Sequence, residues 1–533
     1  MSRRLSGVSL LVLLALATFL VGGLQAVGET IVIYAHSQPL TDLDPAYGAF
    51  LVTPSGYEAG FVIYDGLVNF DEHMNILPAL AERWDFSEDS LTWTFYLRRG
   101  VKFHDGTPFN ADAVRINFER GMDAGRTTTN RMLWAPWKRV EVIDDYTVKL
   151  TSAVPYGTAL NALAHGAGLM VSPAAIEKYG DHPEHHPVGT GPYKLENFTV
   201  GQELTLVANT DFWGEQPKVD KLIFRYVPEA STRIAALLSG EVDVIDAVPL
   251  QEVLRLEKKP DVKLIQKPAL RLYSLDILLE REFFKDVRVR YALNHAINKE
   301  GIAKGVFLDA AAIADSPLAF DTFGHVSVGP YNYDPDRARS LLAEAGWTDS
   351  DGDGILDKNG EPFECSILVP EGKYPYDVTV VEAVGSQLGA IGIRVIINAV
   401  EKGSYAGLRN APLEKTYYDM VFRAFNPSNG SGQYALEDNY LSDADPTASP
   451  IGHNCSRYKN DEFDRLLMSA KEALDPDERK ELLAECQRIV WDDAPSIWLV
   501  IPEVITAVRR DVEGVEVRPA VFTILRNVVV VNK

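Results

Sequence analysis

The run Asp419-Met420-Val421-Phe422-Arg423-Ala424-Phe425-Asn426-Pro427-Ser428-Asn429-Gly430, continued by Gln433 and Tyr434, sets neutral amides beside aromatic rings. Asn426, Asn429 and Gln433 each offer donors and an acceptor, while Phe425 and Tyr434 offer ring faces. This chemistry holds a ligand by hydrogen bonding and stacking, and it suits sugar hydroxyls and apolar ring faces. Arg423 lies in the same run and counts with these residues as a candidate contact. The plain alternative is a loop rich in Asn, Ser and Gly that only turns the chain. Trp134 and Trp137 form a second candidate pair, because adjacent indoles can stack on a ligand, although such residues commonly pack a core.

Asp349, Asp351 and Asp353 alternate up to Gly354, and Asp357 follows. Alternate oxygens around a tight glycine turn suit calcium, but Gly360 stands where a bidentate acid is expected, with Glu361 after it. A structural calcium is the one cofactor the sequence suggests, set against an acidic hairpin that holds no metal. His182, His185 and His186 match no common metal spacing and read as loop histidines. Cys365, Cys455 and Cys486 are the only cysteines, and no CxxC occurs, which excludes a zinc knuckle or a dithiol redox pair. Two states stay open for them: a Cys455–Cys486 disulfide, or three buried thiols. A secreted hydrolase is the competing functional class. The chain has no G-x-S-x-G elbow, H-E-x-x-H, P-loop or dinucleotide fingerprint, so no catalytic residue is assigned.

Alternating strand and helix signals imply a mixed α/β architecture. Leu91, Trp93, Phe95 and Leu97 alternate as in a half-buried strand, and Val101-Lys102-Phe103 is expected to return after the Arg98-Arg99-Gly100 turn. Asn110 is placed to cap a helix, as are Asp334 before Pro335 and Asp475 before Pro476. A helix over 231–239 ends at Gly240. A further helix is expected over 376–389, with strands over 393–400 and 497–508.

Arg3 and Arg4, the apolar run from Leu10 to Val21, and Ala26-Val27-Gly28 have the order of a secretory signal peptide. The apolar run is well short of the roughly 20 residues of a spanning helix, although an uncleaved N-terminal anchor is the alternative. No cysteine lies near the cleavage point, so the mature chain is expected to start near Glu29 without a lipid. It is expected to be soluble and exported, in a periplasm or at a cell surface. The 533-residue chain carries a formal charge of −23, which disfavours nucleic acid as a partner. Its length calls for two or three domains.

The segments Pro78 to Trp84 and Leu91 to Phe109 resemble the signature of the peptide-binding family (family 5) of extracytoplasmic solute-binding proteins. Those proteins serve ABC importers for dipeptides, oligopeptides, nickel complexes and, in some members, oligosaccharides. Pro187-Val188-Gly189-Thr190-Gly191-Pro192-Tyr193, Leu238 to Asp243, Asp286 to Leu293, Tyr333 to Gly346, and Asn460 to Leu467 continue the pattern in order. The resemblance implies an α/β, two-lobed, type II periplasmic-binding-protein-like fold with an extra domain on the first lobe. The first lobe would comprise 29–55, 186–268 and 503–533, the extra domain 56–185, and the second lobe 269–502. Hinge crossings would fall near 268–272 and 500–502. It also implies a monomer that captures a solute between the lobes and delivers it to a membrane permease, with Tyr47 and Phe50 on the cleft wall. A peptide is the first ligand expected, an oligosaccharide the second and nickel the least. The chain departs from the family's pattern at Phe425 and Asn426, where an acid that pairs a peptide's amino group is expected. The landmark glycines, Arg288 and Arg290 are expected to be structural.

Overall fold

The structure is a computed structural model that describes residues 29–46, 53–123, 134–180, 185–442 and 453–531. The signal segment, Tyr47, Phe50 and His182 lie outside the described residues. Its centre is a twelve-stranded mixed sheet. In one half, strand Ile31–His36 runs parallel to Lys221–Tyr226 and to Val244–Ile245. Antiparallel Glu203–Ala208 and Tyr193–Thr199 extend this half to its edge. In the other half, Glu364–Glu371 runs parallel to both Arg394–Glu401 and Met420–Phe425. Leu272–Ile277 then pairs antiparallel with Met420–Phe425.

One long strand, Ser496–Arg509, belongs to both halves. Its first part pairs with Leu272–Ile277 and Ala311–Ile313. Its second part pairs with Val262–Pro268 and Val244–Ile245. The change of partner falls between Val500 and Glu503, so the chain passes there from one half to the other without leaving its extended form. Every side chain of Leu272–Ile277 is buried, because apolar clusters cover both faces. A strand covered on both sides loses the alternation that marks a half-buried one.

A separate four-stranded antiparallel sheet has the order Ala81–Phe86, Thr92–Leu97, Thr147–Ser152, Trp137–Asp144. The side chains of Thr92–Leu97 alternate as expected, with Trp93, Phe95 and Leu97 inward. Val101-Lys102-Phe103 does not return as a strand. Both edges of Thr92–Leu97 are already occupied, so this segment forms only an isolated bridge between Lys102 and Pro108.

Local chemistry sets the helix ends. The side chains of Asn110, Asp334 and Asp475 accept from backbone amides in the first turns of their helices, each cap contributing about 1 kcal/mol. The helix Ala230–Ser239 stops where Gly240 takes φ 78°, a left-handed conformation that costs glycine little. Arg288 pairs with Asp286, whereas Arg290 donates to the carbonyls of Phe284, Lys285 and Asp493.

Lys299, in the first turn of helix Lys299–Gly305, is buried with its Nζ unpartnered, 5.4 Å from the Tyr331 ring centre. Burial pushes it down to about 7. The unfolded chain therefore holds a proton at this site that the folded chain lacks between pH 7 and about 10.5, and stability from this group rises with pH across that window. Lys299→Met is expected to raise the melting temperature most below pH 7, with the gain shrinking as pH approaches 10. A gain that does not change with pH in calorimetric melts would refute the assignment.

Candidate functional site

The candidate contact residues stand where the two halves of the protein meet. Strand Met420–Phe425 ends at the seam, the loop Asn426 to Ser431 crosses it, and helix Gly432–Tyr440 follows. Gly430 takes φ +68°, and a Cβ there would approach the Met74 side chain to 3.1 Å, so the loop can sit this close only with glycine.

Ser428 reaches across the seam. The amide of Ala167 donates to Nδ1 of His165 at 3.2 Å, which leaves the ring proton on Nε2. Nε2 lies 2.6 Å from the Tyr57 oxygen and 3.0 Å from Ser428 Oγ, and Tyr57 OH donates to Ser428 at 3.4 Å. Asn161 Nδ2 donates to the Asn429 carbonyl at 3.0 Å. A second latch lies elsewhere on the seam: the Gly157 amide donates to the Lys471 carbonyl at 2.8 Å, and Arg479 donates to the Gly157 carbonyl. Tyr57 is held flat on Phe522, with ring centres 5.1 Å apart and planes 2° from parallel.

Three polar atoms at this seam are buried without a partner: Asn426 Oδ1, Ser431 Oγ and Thr322 Oγ1. Thr322 lines a cavity of about 10 Å³ together with Leu270, Phe425 and Pro427, room for a single water. Ser431 forms a bridge with the neighbouring Phe323. The seam is therefore shut and holds unsatisfied donors and acceptors. Each such atom costs roughly 1–3 kcal/mol while it stays unpaired.

The expected contact residues divide. Phe425 packs edge-on against Tyr434, with centres 5.4 Å apart. Asn426 Nδ2 donates to the Ala520 carbonyl at 3.0 Å, and Asn429 Oδ1 accepts from the Ser431 amide at 3.1 Å. Gln433 turns inward and donates to Glu437. Arg423 is fully committed to the interior: it donates to Asp438 at 2.8 Å, Asn439 at 2.5 Å, the His453 carbonyl at 2.8 Å and Cys455 Sγ at 3.2 Å. Burial opposes its charge, but Cys455, Asp438 and Asp276 outweigh that and hold the guanidinium well above its usual range. Burial likewise opposes the Asp438 carboxylate, yet the hydrogen bond from His453 and the Arg423 charge keep it below its usual range.

Trp134 and Trp137 both pack edge-on against Phe118, and Trp137 also meets Tyr156. The structure places them in the core beside the four-stranded sheet instead of on a cleft wall, because Phe118 of the helix Ala111–Met122 needs that apolar cover. Cys365, Cys455 and Cys486 are buried free thiols, so of the two open states the disulfide is absent. Burial pushes Cys486 up to about 12 and Cys365 higher still, which leaves neither reactive.

Asp349, Asp351 and Asp353 bring carboxylate oxygens within 4.8 Å of one another on the exposed surface. Much of this oxygen set is already engaged: Asp349 accepts from the amides of Gly352 and Gly354, Asp351 from Asp353, and Asp353 from Ile355. Asp357 stands apart from the three and binds Ser350. Sequence reasoning missed Tyr57, Asn161, His165, Thr322 and Ser431. The hydrogen bonds of Tyr57, Asn161 and His165 reach partners more than 100 residues away, and no local pattern marks any of the five.

Residues 75–447 match the family described as bacterial extracellular solute-binding proteins, family 5. The chain is 31% identical over 490 residues to the glutathione-binding protein GsiB of Salmonella choleraesuis, covering 92% of each. Among solved structures it resembles HbpA2 from Haemophilus parasuis, with a TM-score of 0.82 and 26% identity over 94% of this chain and 99% of that one. It also resembles the ABC transporter-associated periplasmic binding protein DppA from Helicobacter pylori in complex with the peptide STSA. That match has a TM-score of 0.75 and 28% identity over 94% of this chain and 98% of that one. The mixed α/β chain thus has the two-lobed, type II fold of periplasmic binding proteins. Among the described residues no helix is long and apolar enough to cross a membrane.

Two outcomes follow from the seam. Burial pushes His165 down to about 3, so closing the seam excludes the imidazolium that an open, solvated His165 forms below about 6.5. Closure is fully favoured above pH 6.5 and loses up to about ten-fold per pH unit as the pH falls from there towards 3. Affinity measured from pH 7.5 to 5 should show that slope in the wild type and a flatter one in His165→Gln; equal slopes would remove His165 from the latch. Arg423→Ala strands Asp438 and Asp276 in the interior and should cost about 3–5 kcal/mol in denaturant titrations, far more than a contact residue on an open wall.

Proposed function

The chain belongs to family 5 of the bacterial extracellular solute-binding proteins, and from that premise we propose that its solute is a short peptide or peptide-like acid of the glutathione class. The observation that carries this reading is the likeness to a glutathione-binding protein over nearly the whole of both chains. Glutathione is itself a γ-linked tripeptide. The seam supports it: Asn426 Oδ1, Ser431 Oγ and Thr322 Oγ1 are suited to amide groups, and the Phe425 ring lines the same small cavity as Thr322.

The ligand enters while the lobes are apart, and it is enclosed when Ser428 reaches Tyr57 and His165. Water leaves the contact, so each polar pairing made there gains strength. The closed shape is what a membrane permease of an ABC importer then recognises. We take the lobes to be 29–55 with 186–268 and 503–533, and 269–502, with 56–185 as the extra domain. The protein acts as a periplasmic or cell-surface monomer, chemically unaltering towards its ligand, and capture needs no cofactor.

Calorimetric and thermal-shift titration with glutathione and with di- to hexapeptides, against α- and β-linked oligosaccharides, tests this reading. Saturable binding of the peptides is expected, with a rise of several degrees in melting temperature at ligand well above Kd and intact ligand recovered by mass spectrometry. Stabilisation by oligosaccharides and not by peptides would overturn the peptide assignment, and recovery of cleaved ligand would overturn the binding role.

A further inference from the structure

Arg271 is a cation without a counter-charge in a strongly acidic protein, whose formal charge is −23. Among the described residues, every other arginine except the exposed Arg99 has a side-chain or carbonyl oxygen within hydrogen-bonding distance. Arg271 makes neither a hydrogen bond nor an ion pair with any described residue, and its Nε is buried and unpartnered. Its guanidinium carbon stands 5.6 Å from the centre of the Tyr374 ring. Asp377, the acid that follows Tyr374, is already spent on the amides of Gly372, Lys373, Tyr374 and Val378. Tyr374 itself follows the end of Glu364–Glu371, a parallel strand, and the carboxyl ends of parallel strands are where an α/β sheet opens its crevice.

The register fixes what faces Arg271. Leu272 pairs with Phe425 in the antiparallel ladder, so Arg271 stands across from Asn426, one position beyond the last paired residues. Asn426 Oδ1 is a buried acceptor with no donor, and Arg271 Nε is a buried donor with no acceptor. Leu270, Leu272 and Ser274 line the small cavity with Phe425 and Pro427 on one face of the chain, so Arg271, between Leu270 and Leu272, lies on the other face, that of Tyr374. A ligand end that carries a carboxylate next to an N–H would satisfy both groups at once, as the C-terminal residue of a peptide does.

We propose that Arg271 is the carboxylate anchor of the cleft, taking the ligand's terminal carboxylate on its guanidinium while Asn426 Oδ1 accepts the adjacent N–H. Resting on the peptide reading above, this makes the protein select free acids over their amides. A guanidinium can hold a carboxylate by two parallel, charge-assisted hydrogen bonds, and an uncharged amide forfeits that pairing.

The test uses the full chain with glutathione and trialanine, each also as its C-terminal amide, titrated by calorimetry into wild type, Arg271→Gln and Arg271→Lys. Wild type should bind each acid at least ten-fold more tightly than its amide. Arg271→Gln should bind acid and amide alike, and Arg271→Lys should keep part of the preference. An Arg271→Gln protein that still prefers the acid ten-fold would overturn the anchor while leaving peptide binding in place. So would a wild type that binds acid and amide equally, a result that needs no variant to fold. A wild type that binds none of the four would bring down the peptide reading and the anchor with it.

Discussion

A single strand shared by two half-sheets governs how this protein can work. Ser496–Arg509 is hydrogen-bonded along its first part to one half and along its second part to the other. Such a strand cannot be pulled from either ladder without losing several backbone hydrogen bonds. Motion of one half against the other can thus concentrate only where the partners change, between Val500 and Glu503, and at the antiparallel neighbouring crossing from Pro268 to Leu272. Two adjacent crossings are the geometry a hinge uses, because a few backbone dihedrals can absorb a rotation while both ladders stay intact. The proposed anchor and the candidate loop stand beside these crossings: Arg271 is in one of them, and Phe425 ends the strand that pairs with its continuation.

The closed seam is a balance of small terms. The contacts from Tyr57, His165 and Asn161 to the 428–429 backbone and side chains favour closure, as does Arg479 on the Gly157 carbonyl. A typical net hydrogen bond contributes only about 0.5–1.5 kcal/mol. Against them stand the buried, unpaired atoms of Asn426, Ser431 and Thr322, and the loss of a charged form for His165. The two sides are comparable in size. A ligand that pairs those atoms shifts the balance by its own contacts, and a hinged binder needs this property if closure is to report occupancy.

What could be read from the sequence is what depends on neighbours in the chain. The caps at Asn110, Asp334 and Asp475, the glycine stop at Gly240 and the alternation of Trp93, Phe95 and Leu97 all arise within a few residues, and all appear in the structure. The candidate loop at Phe425 and Asn426 was visible as well, since its composition is unusual beside a strand. The destinations of Trp134, Trp137 and Arg423 were not visible. An indole packs or stacks with the same chemistry, and Phe118, which settles the matter for Trp134, is a tertiary partner. Arg423 meets Asp438 within the same segment, yet the pairing requires a strand to turn into a helix that brings the acid back beneath it. His165 and Ser428 are separated by 263 positions, and nothing in either neighbourhood announces the other.

The acid missing at Phe425 and Asn426 gains a physical meaning in this frame. The next carboxylates after this loop in the chain, Glu437 and Asp438, are present but engaged: Lys471 holds Glu437 at 2.7 Å, and Arg423 and His453 hold Asp438. Freeing Asp438 would strand the buried Arg423, which costs several kcal/mol, more than one amine contact returns. The positive end of a ligand therefore finds no uncommitted carboxylate at this loop among the described residues. The unbalanced charge near the hinge is positive instead, at Arg271, opposite a neutral acceptor. In a cleft built this way polarity is read from the negative end of the ligand, and the amine end is left to neutral oxygens. Such a cleft tolerates ligands whose amino group is displaced or modified far better than those whose carboxylate is blocked.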